Sequence, residues 1–273
     1  MSLFISSLNT GSNGNCFYIG TEQEAILIDA GISLREIIRR MNRLNLDVQK
    51  IKAVFITHEH SDHIRGLCSL LKKYPVPVYI TNTTLQNSGL YLQSHLVRSF
   101  TAYNPIQIGS LSITAFPKWH DAVDPHSFQV SCNNVNVGIF TDIGSPCEHV
   151  IYHFSQCHAA FLEANYDDHM LDTGSYPYHL KRRIKSQHGH LSNAQALQLF
   201  LQSKPAHMSH LFLSHLSKNN NCPNLVRQLF EEASGNTKII VASRYEETPV
   251  YKIGSHSFSS SWAMPVTQLE MEF

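Results

Sequence analysis

Apolar residues fall along this chain in short runs of two kinds. Runs rich in β-branched and aromatic residues, at 2 to 6, 16 to 19 and 24 to 29, predict strands. Ser33, with Glu36 three residues later, makes a capping box that opens a helix over SLREIIRRMNRL. The run KAVFITH, 52 to 58, is largely apolar, as in a buried strand, and ends abruptly in polar residues. Further helical patterns at 63 to 73, 84 to 94, 146 to 155, 177 to 187, 192 to 203 and 223 to 234 interleave with strand patterns near 77 to 81, 110 to 117, 127 to 132, 135 to 141, 158 to 163, 209 to 214 and 238 to 242. Strands and then helices in each half predict an α/β (α+β) chain of two packed mixed sheets with helices outside, rich in hairpins and not doubly wound. No Pro/Gly/Ser-rich linker or composition shift divides the chain, so one domain over 1 to 273 is expected.

Composition sharpens this picture. The 273 residues are 42% hydrophobic, enough to bury a sizeable core, and 21 basic side chains balance 21 acidic ones. Zero net charge removes any global pull toward nucleic acid or acidic membranes. A local patch survives that average: Lys181, Arg182, Arg183 and Lys185 fall within five residues of a predicted helix. Such a patch suits phosphate-backbone contact, although a solvated helix face reads the same way. No stretch reaches the roughly 18 apolar residues of a membrane span, and the first residues lack the basic and apolar regions of a signal peptide. A cytoplasmic protein without membrane association is therefore expected. The six cysteines are scattered, with no zinc-knuckle or redox spacing, and read as reduced thiols. The unusual count is 17 histidines against 13 glycines. Histidine is the commonest metal ligand and a proton carrier near neutral pH.

The candidate chemistry begins where the strand over 52 to 58 ends, in Thr57, His58, Glu59, His60, Ser61, Asp62, His63. His58 and His60 are two apart, so in extended chain they point the same way, and the turn into the next helix brings Asp62 and His63 beside them. Imidazole nitrogens and carboxylates suit Zn²⁺ and, with more oxygen ligands, Mn²⁺ or Fe. Four such groups in six residues exceed what one tetrahedral site takes from so short a segment, which points to two metals. A solvated histidine-rich loop would leave the buried strand ahead of it unexplained. Asp142 and His215 stand at the ends of the apolar runs VNVGIFTD and HLFLSH, and His120 follows LSITAFP. These are positions where strands deliver side chains to a sheet's rim.

The segment resembles the HxHxDH signature of the metallo-β-lactamase superfamily, and the other motifs follow in that family's order: Asp29 in LIDAG, His120 in FPKWHDA, Asp142 in FTDIG and His215 in LFLSHLS. The resemblance implies a four-layer αββα fold. It also implies one metal held by His58, His60 and His120, a second by Asp62, His63 and His215, and Asp142 bridging both. Asp29 is expected to hold the ligand loops by hydrogen bonds. The strings NTGSNGNC (9 to 16), EANYDDHML (163 to 171), YPYHLKRRI (176 to 184), HGHLSNAQA (188 to 196) and SHLSKNNN (214 to 221) resemble the YycJ/WalJ (VicX) branch, a bacterial group encoded beside a cell-wall two-component system. His126 and Ser127 in DPHSF depart from it, standing where an apolar residue and a glycine are expected. The branch implies a metal-dependent nuclease with 5′ to 3′ exonuclease action on DNA, single-stranded or with a free 5′ end. RNA is the second nucleic acid to consider.

Two metals about 3.5 to 4 Å apart lower the pKa of a bridging water and stabilise charge on both sides of an in-line displacement. The expected reaction is attack of a bridging hydroxide on phosphorus beside Asp62 and Asp142, with His190 protonating the departing 3′ oxygen. His188 is its neighbour in the HGHLSN turn. Ser192 with Gln195 forms a capping box, so Ser192 and Asn193 begin a helix whose free N–H groups are expected to receive a phosphate oxygen. Lys181, Arg182 and Arg183 complete the expected substrate contacts. The same metals would serve a glyoxalase II-like thioesterase or lactonase, against which stand the HGHLSN turn and the basic helix. A regulatory binding protein of a cell-wall signalling pathway, with structural metals only, sits poorly with seven N and O ligands, because structural zinc sites are closed and usually thiolate-rich.

Overall fold

The computed structural model describes residues 2–254; the last stretch of the expected domain, 255–273, lies outside the described residues. The apolar runs form strands as their pattern predicts. β1 (Leu3–Asn9), β2 (Cys16–Gly20) and β3 (Ala25–Ile28) make an antiparallel meander, to which β4 (Ile51–Phe55), β5 (Val78–Tyr79) and β6 (Val97–Arg98) add in parallel. The second half repeats the scheme. β7 (Ile106–Ile108), β8 (Leu111–Pro117), β9 (His126–Cys132) and β10 (Val135–Phe140) are antiparallel, and β11 (Ala159–Glu163), β12 (His210–Ser214) and β13 (Lys238–Val241) follow in parallel. β14 (Tyr251–Ile253) returns to the free edge of β1, which gives two seven-stranded mixed sheets.

Alternation along the strands sorts the core into three layers. Ile26, Ile28, Ala53 and Phe55 of the first sheet meet Phe128, Ile139, Phe161 and Phe212 of the second. The alternate residues face outward. Leu27 and Val54 pack under α1 (Leu34–Arg43) through Ile37 and Met41, beyond which lie α2 (Ser61–Ile64), α3 (Leu67–Lys73) and α4 (Asn82–Asn87). Ala160, Leu162 and Leu211 are covered by α5 (Glu148–Phe154), then α6 (Asp168–Thr173) and α7 (Tyr178–Ile184) follow in the chain, and α8 (Asn193–Ser203) and α9 (Pro223–Glu231) complete the cover with Leu199, Phe200, Val226 and Phe230. The order is αββα. Strands buried on both faces explain why the central runs are continuously apolar. Each fully buried large side chain contributes about 1.5–3 kcal/mol.

Three departures from the sequence pattern have local causes. The helix expected over 63 to 73 breaks at Gly66, whose N–H donates to Ala30 O at 2.8 Å and whose added Cβ would lie 1.9 Å from Ile32 O. The helix expected over 84 to 94 stops at Asn87, where Ser88 Oγ turns back to Leu85 O. At α1 only half the capping box forms: Ser33 Oγ accepts from Glu36 N, but the Glu36 carboxylate pairs with Arg39 and Arg40. The short strands β6, β7 and β14 and the helix α6 have no counterpart in the sequence pattern.

Candidate metal centre

The ends of the strands supply the site. β3 leads into Asp29, β4 into Thr57 and His58, β8 into Trp119 and His120, β10 into Asp142 and β12 into His215, while Glu163 closes β11. Asp29, Asp142 and His215 take φ of +61°, +55° and +57°. Such left-handed backbone costs a non-glycine residue on the order of 1–3 kcal/mol and persists where surrounding contacts impose it. All three residues turn their side chains toward one another's partners at the same rim.

The seven residues put forward as ligands converge. His58 Nε2 lies 3.1 Å from His60 Nδ1, and His120 Nε2 lies 3.4 Å from the same atom. His63 Nε2 is 3.1 Å from Asp142 Oδ2 and 3.6 Å from Asp62 Oδ2. His215 Nε2 is 3.4 Å from Asp142 Oδ1 and 3.7 Å from Asp62 Oδ2. Two groups result, His58 with His60 and His120, and Asp62 with His63, Asp142 and His215, the ligand atoms of each within 4.8 Å of one another. Asp142 stands between them, its Oδ1 also 3.9 Å from His120 Nε2.

The far side of each ring is held by the fold. Asp29 accepts from His63 Nδ1 at 2.7 Å and from Thr57 N at 2.9 Å, and the Thr57 hydroxyl bridges Asp29 to His58 Nδ1. His120 Nδ1 donates to Gly189 O at 3.1 Å. Glu163, absent from the expected set, accepts from both His190 Nδ1 at 2.7 Å and His215 Nδ1 at 2.9 Å. Nδ1 atoms held in this way turn the Nε2 atoms of His58, His63, His120 and His215 inward, where a bound cation would take the place of the ring proton. Asn15 Nδ2 lies 3.3 Å from Asp62 Oδ2, which ties the NTGSNGNC loop to the second group. The signal for Glu163 is an apolar run, AAFLE, closed by a carboxylate, the same pattern that marks Asp142.

The charges fit a cation. Burial holds His58 well below the usual imidazole range and His120 down at about 3, so both rings stay neutral. Against the penalty of burial, Asp142, Asp29 and Asp62 push His63 up to about 10, and Asp142, Asp62 and Glu163 hold His215 well above its ordinary value. Asp142, despite burial, is kept far below the carboxylate range by His215 and His63. This half of the site demands positive charge. Among the described residues Asp142 Oδ2 and His215 Nε2 are buried without a hydrogen-bond partner, each costing about 1–3 kcal/mol. They crowd neighbouring ligand atoms without hydrogen-bond alignment, as donors aimed at a common centre do. An all-N/O donor set of this kind fits a divalent cation.

Residues 24–215 match the β-lactamase superfamily domain. Exodeoxyribonuclease YycJ of Bacillus anthracis is 32% identical over 240 residues, covering 85% of this chain and 90% of that protein. Exodeoxyribonuclease WalJ of Streptococcus pneumoniae is 33% identical over 228 residues, covering 81% of this chain and 84% of that protein. This chain belongs to the metallo-β-lactamase superfamily, in its YycJ/WalJ branch. The metallo-β-lactamase fold protein YhfI from Bacillus subtilis shares the fold, with a TM-score of 0.72 at 16% identity over 92% of this chain and 100% of that one.

In this metallo-β-lactamase fold the expected substrate residues are placed unequally. His190 keeps 20% side-chain exposure with its Nδ1 on Glu163, and His188 is exposed, its ring 6.2 Å from Trp119. Lys181 Nζ donates to Asp172 O at 2.8 Å, and the Arg182 guanidinium lies 5.9 Å over the Tyr178 ring. Arg183 is paired with Asp121, so its guanidinium is tied back to the loop after β8. Ser192 and Asn193 are buried and fully engaged by the chain, a correction to their expected contact with phosphate. Ser192 and Gln195 complete both halves of the capping box, Asn193 N donates to Tyr166 O, and the Asn193 side chain exchanges hydrogen bonds with Asn221. Buried polar groups at such a junction take their partners from the fold itself. The departure at His126 is structural: its N–H donates to Thr57 O and its ring packs edge-on against Phe100.

Proposed function

We propose that this chain is a metal-dependent phosphodiesterase that shortens DNA from its 5′ end, with two divalent cations, Zn²⁺, Mn²⁺ or Fe²⁺, in its centre. The observation that carries the reading is the Glu163–His190 pair standing beside a buried cluster of N and O donors. The YycJ and WalJ relatives described above are named exodeoxyribonucleases, which favours a polynucleotide substrate. His58, His60 and His120 would hold one cation, and Asp62, His63 and His215 the other, with Asp142 shared. Bound there, the cations would acidify water and neutralise charge on the phosphate oxygens.

The rest falls to side chains. Against burial, His190 and His215 hold the Glu163 carboxyl below its usual range, so Glu163 stays ionised beside His190. Its grip on Nδ1–H orients the ring, and His190 Nε2 would pass a proton to a departing alcohol oxygen. Lys181 and Arg182 would meet phosphates of the bound strand, and His188, exposed beside Trp119, would be a further contact. Ser192 and Asn193 act by holding the HGHLSN turn. Six free cysteines suit the reducing cytoplasm, and no helix among the described residues is long and apolar enough to cross a membrane.

The test is single-turnover digestion of 3′-labelled DNA bearing a 5′-phosphate or 5′-hydroxyl, with Mn²⁺ or Zn²⁺, beside a thioester, a lactone and an RNA of the same sequence. Stepwise shortening of the DNA is expected. Thioester or lactone turnover with intact DNA would overturn the proposal.

A further inference from the structure

Asp121 follows His120 in the chain and turns one carboxylate oxygen toward the first ligand group. Its Oδ1 is buried without a hydrogen-bond partner among the described residues and lies 3.4 Å from His120 Nε2, the same distance that separates His120 Nε2 from His60 Nδ1. Neighbouring ligand atoms around a tetrahedral cation with bonds of about 2.0–2.1 Å stand about 3.3–3.4 Å apart. Gly189 O takes the Nδ1 proton of His120, so Nε2 is the nitrogen left to face the carboxylate. Two acceptor atoms thus meet at ligand spacing with no donor to satisfy the oxygen, an arrangement that a cation would answer.

The charges of the two groups give this oxygen a use. His58, His60 and His120 have a carboxylate only through the shared Asp142, whereas Asp62 and Asp142 both stand with His63 and His215. Asp121 would give the first group an oxygen donor of its own. Its loop is fixed on both sides: the Trp119 carbonyl accepts Gly144 N at 2.7 Å, and Val123 N donates at 3.0 Å to Glu59 Oε1, on the residue between His58 and His60.

The other oxygen, Oδ2, accepts from Arg183 Nε. Arg183 keeps 57% side-chain exposure, and its two terminal nitrogens make no hydrogen bond among the described residues. A short chain of contacts therefore runs from solvent through guanidinium and carboxylate to a ligand atom. The turn after α7 keeps it in register: Ser186 N donates to Arg183 O at 3.1 Å, and Gly189, whose carbonyl holds His120, has no room for a Cβ, which would lie 2.1 Å from Ile184 O. An ion pair at the surface ordinarily contributes little. Here one partner also faces the ligands, so the carboxylate's charge is divided between the guanidinium and the centre.

We propose that Asp121 and Arg183 form a latch on the first cation. Asp121 supplies carboxylate charge there, and Arg183 withholds part of it until a substrate phosphate takes up the free N–H groups of the guanidinium. Substrate and cation then strengthen each other's binding, because coupling between two sites is reciprocal. The latch rests on the two-cation nuclease reading and adds to it a way for the substrate to tighten the metal.

The test is titration of the full-length, metal-stripped protein with Mn²⁺ against a competing chelator, which should give two dissociation constants for wild type. Asp121→Asn, which keeps the side chain's shape, should weaken one of them about 10- to 100-fold. Arg183→Gln should tighten that same constant about two- to fivefold, the scale of an exposed ion pair. A pair that only held the loop would lose affinity in both variants. A phosphorothioate duplex with a 5′-phosphate should tighten Mn²⁺ binding more in wild type than in Arg183→Gln. Unchanged constants in Asp121→Asn, or an Arg183→Gln constant equal to or weaker than wild type, would overturn the latch while DNA digestion by wild type still upheld the nuclease reading. A wild-type protein that held no second cation and left DNA intact would overturn both.

Discussion

Glu163→Gln tests the part of the centre that lies behind the ligands. The carboxylate takes four hydrogen bonds, from His190 Nδ1 at 2.7 Å and His215 Nδ1 at 2.9 Å on Oε1, and from Ile143 N at 2.7 Å and Leu191 N at 3.3 Å on Oε2. Glutamine keeps the shape but has one acceptor oxygen and one NH₂ group. If its oxygen faces the histidines, its NH₂ opposes two backbone N–H groups. If it is reversed, the NH₂ opposes two imidazole N–H groups, and His215 must move its proton to Nε2, losing the lone pair that faces the centre. Hydrogen bonds to charged groups contribute about 1.5–3 kcal/mol each, and a stranded buried donor costs about 1–3 kcal/mol. Because these are not additive, the expected loss in unfolding free energy is about 3–5 kcal/mol, the range for breaking a buried ionic partnership. Metal affinity should fall about 10- to 100-fold. Urea unfolding of metal-free protein and chelator-competition titration measure the two effects separately, which matters because bound metal itself adds stability. Unchanged unfolding free energy with unchanged metal affinity would refute the role given to Glu163.

Asp142→Ala removes the carboxylate that both ligand groups approach, so elemental analysis should show metal lost from both; two cations retained per chain would contradict the shared position. A Cβ on Gly31 would lie 1.7 Å from Asp62 O, so Gly31→Ala should shift Asp62 and cost at least about 1–3 kcal/mol. A variant with wild-type melting temperature and metal content would count against that contact. His153 is 6% exposed and stacked 4.0 Å from Phe116, and burial pushes its pKa from 6.5 down to about 4. The folded state thus resists a proton that the unfolded chain accepts, so the stability present above about pH 6.5 is lost as pH falls toward 4. Melting temperature should drop more steeply over that window in wild type than in His153→Gln, and equal slopes would exclude His153 as a source.

The sequence by itself determined the αββα order and the placing of the candidate metal ligands at the ends of strands. Strand ends and the HxHxDH spacing are local features, and a buried strand such as Ile51–Phe55 advertises itself by being apolar almost throughout. His120, Asp142 and His215 were legible for the same reason, each following an apolar run. Tertiary structure alone decided which polar groups remain free to act. Glu163 meets His190 across 27 residues and His215 across 52, and Arg183 meets Asp121 across 62. Ser192 and Asn193 looked available in the capping motif, yet Asn193 is answered by Asn221 and Tyr166 from distant segments. Strand β14 exists because β1 leaves an edge to be paired, and the break at Gly66 because Ala30 and Ile32 pass close by. A side chain's type and spacing are written locally, but burial makes every polar group find a partner, and the partner is chosen by how the sheets and loops close.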